Sequence, residues 1–106
     1  MTQLRETLRS DGNDLNSMSD AELFAWVFDV DRRIILLESM KKHSVLKASY
    51  IAQETSRSVQ NISHALKEFR EHGFITCLNP EKTTWKKYIV TDNGKLLLER
   101  LDNFNN

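Results

Sequence analysis

The chain has 106 residues, with 15 lysines and arginines against 15 aspartates and glutamates. That length suits one domain burying roughly 60 to 70% of its unfolded surface, and apolar runs such as Ile34 to Leu37 fall far short of the ~20 residues of a membrane span. The formal net charge of zero, taken alone, argues against a strong polyanion binder.

Residues 1–18 read as a polar arm, with a weak helical stretch around Leu4 and Leu8 and a loop-like SDGNDLNS run. Its mixed charge predicts no signal or transit segment. Ser19 and Glu22 have capping-box spacing, and Met18 with Leu23 fits the accompanying hydrophobic staple. They predict a helix over Asp20 to Val30 whose apolar residues (Leu23, Phe24, Trp26, Val27, Phe28 and Val30) lie nearly all round it. Such a helix must be buried on more than one face, as the central helix of one chain or against a partner subunit.

Asp31 to Lys42 follows with almost no break; Ile34, Leu37 and Lys41 mark the three-to-four spacing, broadened by Ile35, Leu36 and Met40. His43 and Ser44 read as its exit. Leu46 to Thr55 reads as a short helix with Tyr50, Ile51 and Ala52 inward. Ser58 suits the N-cap of the next helix, along which Ile62, Leu66 and Phe69, with Ala65 beside them, repeat up to Gly73, where a left-handed cap belongs. The period then changes from 3.6 to 2. Phe74 to Asn79 and Trp85 to Thr91 predict a hairpin with the five-residue tip Pro80 to Thr84. Thr91 suits the cap of a last helix, Asp92 to about Asn103, with Leu96, Leu97, Leu98 and Leu101 as apolar positions, and the tail DNFNN reads as frayed. The expectation is a mainly α fold with a small β-hairpin (α+β). One domain covers residues 19–101: an N-terminal helix 19–30, a core 31–75, a hairpin 74–91 and a C-terminal helix 92–103, with a tail 102–106.

Three stretches carry a resemblance. IAQETSRS (Ile51 to Ser58) is similar to the second helix and turn of winged helix-turn-helix transcriptional regulators of the multiple-antibiotic-resistance and arsenic-repressor type. NISHALKEFREHGFI (Asn61 to Ile75) resembles their recognition helix, with apolar residues 11, 7 and 4 positions before the glycine. YIVTDNGKLLLERL (Tyr88 to Leu101) resembles the ending Y-x-L-T-x-x-G-x-x-L-L that closes the wing and opens the final helix. The resemblance runs from Arg33 to Leu101, about two-thirds of the chain. It implies a winged helix-turn-helix with extra N- and C-terminal helices, acting on double-stranded DNA in the cytosol or nucleoid of a prokaryote. Two positions depart from the pattern: Ser56 stands where the turn usually has glycine, and Arg57 where an aliphatic residue is usual. Either the turn is rearranged or Arg57 points to phosphates.

With Val59, Ile62, Leu66 and Phe69 buried, the opposite face of the recognition helix presents Gln60, Asn61, Ser63, His64 and Lys67 to base edges. Gln60 and Asn61 are amides suited to bidentate pairing with adenine. Lys47, Ser49, Arg57 and Ser58 are placed for phosphates, which fix register without reading sequence. The wing carries Lys82, Thr83, Thr84, Lys86 and Lys87, for phosphate or minor-groove contact or, alternatively, as edge protection against strand pairing. Trp85 is expected to pack on a neighbouring helix rather than stack on DNA. A homodimer is expected through Leu23, Trp26, Val27 and Val30 of the first helix and Leu97 and Leu101 of the last, which would set two recognition helices one DNA turn apart.

Segmenting the charge bears on this reading. Residues 1–30 hold two basic and six acidic side chains, net −4, whereas residues 31–101 hold 13 basic and 8 acidic, net +5, and Asp102 closes the balance. Either the numbers are scatter in a mixed-charge protein, or a moderately basic unit sits behind an acidic arm that faces away from DNA. A single cysteine, Cys77, forms no internal disulfide, favours a reducing compartment, and has the alternation phase of a buried structural thiol. His64, Glu68 and His72 fall at four-residue spacing on one helix side, which reads as a solvated face rather than a metal site. No metal or cofactor is expected. No phosphate loop, activated serine or paired acid motif appears, so an enzyme is not expected. The rival from another class is a winged helix used for protein–protein contact or as a subunit of a larger complex.

Overall fold

The computed structural model describes residues 17–105, so the expected arm lies outside it apart from Ser17 and Met18. In chain order the described elements are α1 (Asp20–Phe28), α2 (Asp31–Lys42), β1 (Val45–Leu46), α3 (Ala48–Thr55), α4 (Val59–Glu71), β2 (Ile75–Cys77), β3 (Tyr88–Val90) and α5 (Asp92–Asn105). The fold is mainly helical, with one antiparallel sheet of strand order β1-β3-β2.

The capping box opens α1. Ser19 Oγ accepts from the Glu22 amide at 3.0 Å, and Glu22 Oε1 accepts from the Ser19 amide at 2.8 Å. The helix stops at Phe28, two residues short of the expected end, because Val30 turns extended (φ −130°) to start α2. Four residues expected at a dimer interface lie elsewhere: Leu23, Val27, Leu97 and Leu101 are 0 to 2% exposed inside one chain. They join Leu36, Leu37 and Phe69 in the core. The last helix, α5, lies against α1, so the second apolar face of α1 is covered internally. Trp26 and Val30 are half-buried, and the Trp26 ring centroid lies 5.1 Å from Phe69 and 5.8 Å from Phe74. Arg100 ties the two helices at their edge, its Nε donating to Asp20 Oδ1 at 2.7 Å and its Nη2 to the Met18 carbonyl at 2.8 Å.

The expected third helix begins two residues late, since Val45 and Leu46 pair with Ile89 and Tyr88 of β3. A two-residue strand has no periodicity of its own, and only the partner strand reveals it. Tyr50, expected inward, is 63% exposed; Ile51 and Ala52 do face the core. Ser56 takes the left-handed conformation (φ 59°, ψ 36°), and the Arg57 amide donates back to the Ala52 carbonyl at 3.0 Å. Ser56 thus adopts at this turn a left-handed conformation that glycine takes more readily.

Ser58 caps α4 by accepting from the Asn61 amide at 3.0 Å. Ile62, Ala65, Leu66 and Phe69 are buried. Val59 is not: it is 51% exposed, one turn beyond the end of the core. Gly73 (φ 78°) ends α4 with paired bonds, its amide to the Arg70 carbonyl and the Phe74 amide to the Phe69 carbonyl, both 2.9 Å. In the hairpin, Ile75 pairs with Val90 and Cys77 with Tyr88. The strands are shorter than expected, joined by residues 78–87 rather than a five-residue tip. Asn79 to Lys82 forms the turn, closed by the Lys82 amide donating to the Asn79 carbonyl at 3.1 Å. Cys77 is half-buried rather than enclosed, and Trp85, expected to pack, is 76% exposed.

Thr91 joins hairpin to helix. Its Oγ1 donates to the Gly73 carbonyl at 2.6 Å and accepts from the Gly94 amide at 3.0 Å. A Cβ on Gly94 would overlap the Phe74 carbonyl oxygen and lie 2.7 Å from Val90 Cγ1, which is why the Y-x-V-T-x-x-G stretch has glycine there. The part of the tail that is described does not fray. Residues 102–105 continue α5, and the Phe104 ring lies 5.1 Å from that of Phe24, an aromatic contact that holds the last turn. Among the described residues no helix is long and apolar enough to cross a membrane.

Candidate nucleic-acid interface

Three elements meet on one side of the molecule. The start of α3, the outer face of α4 and the hairpin loop enclose a groove of about 350 Å³. Lys47 and Ser49 come from the first wall, Val59, Ser63 and Leu66 from α4. The hairpin supplies Thr83, Thr84, Trp85, Lys86 and Tyr88. Among the described residues no carboxylate lines this groove. A larger hollow of about 430 Å³ on the other side of α3 differs, because Glu54 lines it and pairs with His43 Nε2 at 3.0 Å.

Of the positions expected on DNA, the groove gathers Lys47, Ser49, Ser63, Thr83, Thr84 and Lys86. Gln60, His64 and Lys67 are exposed on the α4 face that Ser63 extends, while Asn61 is half-buried. Lys67 Nζ lies 3.8 Å from Glu71 Oε2, an exposed pair worth a few tenths of a kcal/mol that leaves the ammonium accessible. Lys82 and Lys87 are exposed on the hairpin outside the groove, and Lys82, Lys86 and Lys87 form no ion pair among the described residues. Ser58 is committed to capping α4. Arg57 does not point freely to phosphates: its Nε donates to Asp31 Oδ2 at 3.0 Å and its Nη1 to the Thr55 carbonyl at 3.1 Å. A charged side chain fits an aliphatic slot here because it reaches out along the turn to α2 instead of inward.

Behind this face, α4 is fixed by a carboxylate held in two forks. Arg32 donates to Glu68 through Nε (3.0 Å) and Nη2 (2.6 Å), and Arg33 through Nε (3.2 Å) and Nη2 (3.1 Å). Burial acts to raise the Glu68 carboxyl, but the hydrogen bonds and charges of the two guanidiniums outweigh it and hold the group at about 2. Arg33 also donates from Nη1 to the Trp26 carbonyl at 2.7 Å and lies 4.2 Å over its ring. The side chains of the His64, Glu68 and His72 row consequently go three ways. His64 is exposed, Glu68 faces the arginines, and His72 sits against Trp26, ring centroids 4.5 Å apart. Trp26 thus packs at the C-terminal end of α4, and α1 is at the end away from Gln60.

Sequence reasoning missed two residues that shape the face. The Asn79 side chain spans the loop, its Nδ2 donating to the Trp85 carbonyl at 3.1 Å and its Oδ1 accepting from the Lys87 amide at 2.9 Å. Asn before Pro signals a turn, but not this bridge. Tyr50 stands beside Lys47, whose Nζ is 4.7 Å from the ring centroid. Burial, opposed only in part by Arg70, pushes the Tyr88 hydroxyl above its ordinary value. It is therefore a neutral hydrogen-bonding group at the groove wall. No protein-family model matches the chain, and no curated protein matches its sequence.

Proposed function

We propose that this chain is a winged helix-turn-helix transcriptional regulator that binds double-stranded DNA sequence-specifically, with α4 in the major groove and the β2–β3 hairpin on the backbone or in the minor groove. The observation that carries the reading is a single face on which exposed Gln60, Ser63, His64 and Lys67 adjoin a groove that no carboxylate lines among the described residues and a hairpin bearing Lys82, Lys86 and Lys87. The order helix, strand, helix, tight turn, helix, hairpin supports it, as does the left-handed Ser56 at the position where the resembling regulators usually carry glycine. In this docking the helix start reads bases, each good bidentate amide contact contributing roughly 1–3 kcal/mol of discrimination. The lysines and hydroxyls hold phosphates.

A homodimer on a palindromic site belongs to the same reading. With Leu23, Val27, Leu97 and Leu101 inside the core, its contact falls to the ridge of Phe24, Phe28 and Phe104, the last 45% exposed. Light scattering checks this: Phe104→Glu leaves a folded monomer if the ridge is the contact, and an unchanged dimer if it is not.

The test of DNA binding is a gel shift of mixed duplex DNA across a salt series. Five to eight phosphate contacts give a slope of log K against log salt of roughly −4 to −7. The triple variant Lys82→Glu, Lys86→Glu, Lys87→Glu abolishes the shift. If wild type binds no better than that variant, the DNA reading fails. The exposed apolar residues Val59 and Trp85 then favour the second reading, a protein–protein module using the same face.

A further inference from the structure

Trp85 is not explained by the fold. Its indole is largely exposed, so it contributes little to the core. Its backbone sits at φ 60°, a region that disfavours a bulky L residue and that glycine would occupy without strain. The loop nevertheless holds it there, through the Asn79 Nδ2 bond to its carbonyl at 3.1 Å. A strained, exposed aromatic at the mouth of a groove is a binding feature rather than a folding one.

The groove has the chemistry of a sugar–phosphate strand. Lys47 and Lys86 stand on different walls to meet phosphates, and the hydroxyls of Ser49, Ser63, Thr83 and Thr84 are donors between them. Leu66, Val59 and the indole give apolar contact for deoxyribose faces. The lack of a lining carboxylate among the described residues suits a polyanion and no cation. When α4 occupies a major groove and the hairpin the adjacent minor groove, one strand of the duplex must pass between them, and this groove is what lies between them.

We infer that Trp85 is a strand-binding residue whose indole lies against the sugar face of one DNA strand seated between α4 and the hairpin, with Asn79 as its positioning residue. The inference rests on the DNA-binding reading. It assigns Trp85 to affinity and not to sequence discrimination, because every nucleotide presents the same sugar.

The experiment measures fluorescence anisotropy of fluorescein-labelled mixed-sequence duplexes with the full chain at fixed salt, together with thermal melting. Trp85→Gly is expected to lose about tenfold in affinity on every duplex, judged by what aromatic contacts to nucleic acid contribute. The same variant melts at or above the wild-type temperature, because glycine relieves the backbone. Trp85→Phe retains most of the affinity. Asn79→Ala loses part of it, and combining Asn79→Ala with Trp85→Gly adds no further loss, as coupled residues require. Affinity of Trp85→Gly within about twofold of wild type overturns the inference and leaves the DNA reading standing. A lowered melting temperature for Trp85→Gly makes the indole structural and overturns it as well. Failure of the wild-type chain to bind any duplex overturns both.

Discussion

The helical end of the molecule and the hairpin end treat charge and apolar surface in opposite ways. Around α1, α2, α5 and the far end of α4, the arginines of α2 and α5 and one lysine have partners, though Lys42 and Lys95 form no ion pair among the described residues: Arg32 and Arg33 share Glu68, Arg100 holds Asp20, and Lys41 lies 3.7 Å from Glu38. The aromatics there stack on one another, as Phe24 does on Phe28 at 4.4 Å. At the hairpin end, Lys82, Lys86 and Lys87 have no ion pair among the described residues, and Trp85 and Tyr50 are exposed. Trp85, one of the two left-handed non-glycine residues among those described, is also at this end. A region that satisfies its groups internally is organised for stability. One that leaves them open is organised for a partner.

Substitutions should separate the halves. The largest effect is expected from Gly94→Ala, which forces a methyl group onto the Phe74 carbonyl at the Thr91 junction. A loss of about 3 kcal/mol or more by urea unfolding is expected, and a loss under 1 kcal/mol would show that the junction yields. Glu68→Gln comes next, since it leaves two guanidiniums facing one neutral amide. We expect a loss on the order of 2–3 kcal/mol at neutral pH.

The pH dependence of that loss has a definite sign. The folded carboxyl sits at about 2 against an ordinary 4.5, so its contribution is fully present above about pH 4.5 and disappears as pH falls toward 2. Stability curves of wild type and Glu68→Gln should therefore converge between those values. Parallel curves would assign the loss to packing instead.

Ser58→Ala, which uncaps α4 next to Gln60, should cost about 1 kcal/mol and raise amide exchange in the first turn. Ser56→Gly should gain about 0.5 to 1 kcal/mol by removing left-handed strain, with DNA affinity unchanged. The smallest expected change in stability, under about 0.5 kcal/mol, belongs to the triple hairpin lysine-to-glutamate variant. A marked drop in its melting temperature would mean that those lysines support the fold, and the contrast between the two ends would fail.

Much of the helical framework could be read from the chain. Ser19 and Glu22, Ser58 and Gly73 act on neighbours within a few residues, so the caps they form are written locally. The face of α4 was also legible, since Ile62, Leu66 and Phe69 recur at the helical period. Of the candidate site, Ser63, Lys47, Lys86 and the hairpin threonines do converge, while Arg57 is drawn aside by Asp31, 26 positions earlier. Nothing near Arg57 in the chain announces that partner.

What the sequence by itself determined, then, is the kind and order of the helices and the change of period into the hairpin. Each depends on interactions spanning one or two turns. Tertiary structure alone decided that α1 spends its apolar surround on α5 rather than exposing it, that Phe104 extends the last helix, and that Val45 and Leu46 become a strand. It also left Val59 and Trp85 in the open. These outcomes depend on which surfaces meet across dozens of residues, and the apolar pattern alone shows that a side chain needs a cover without showing what supplies it.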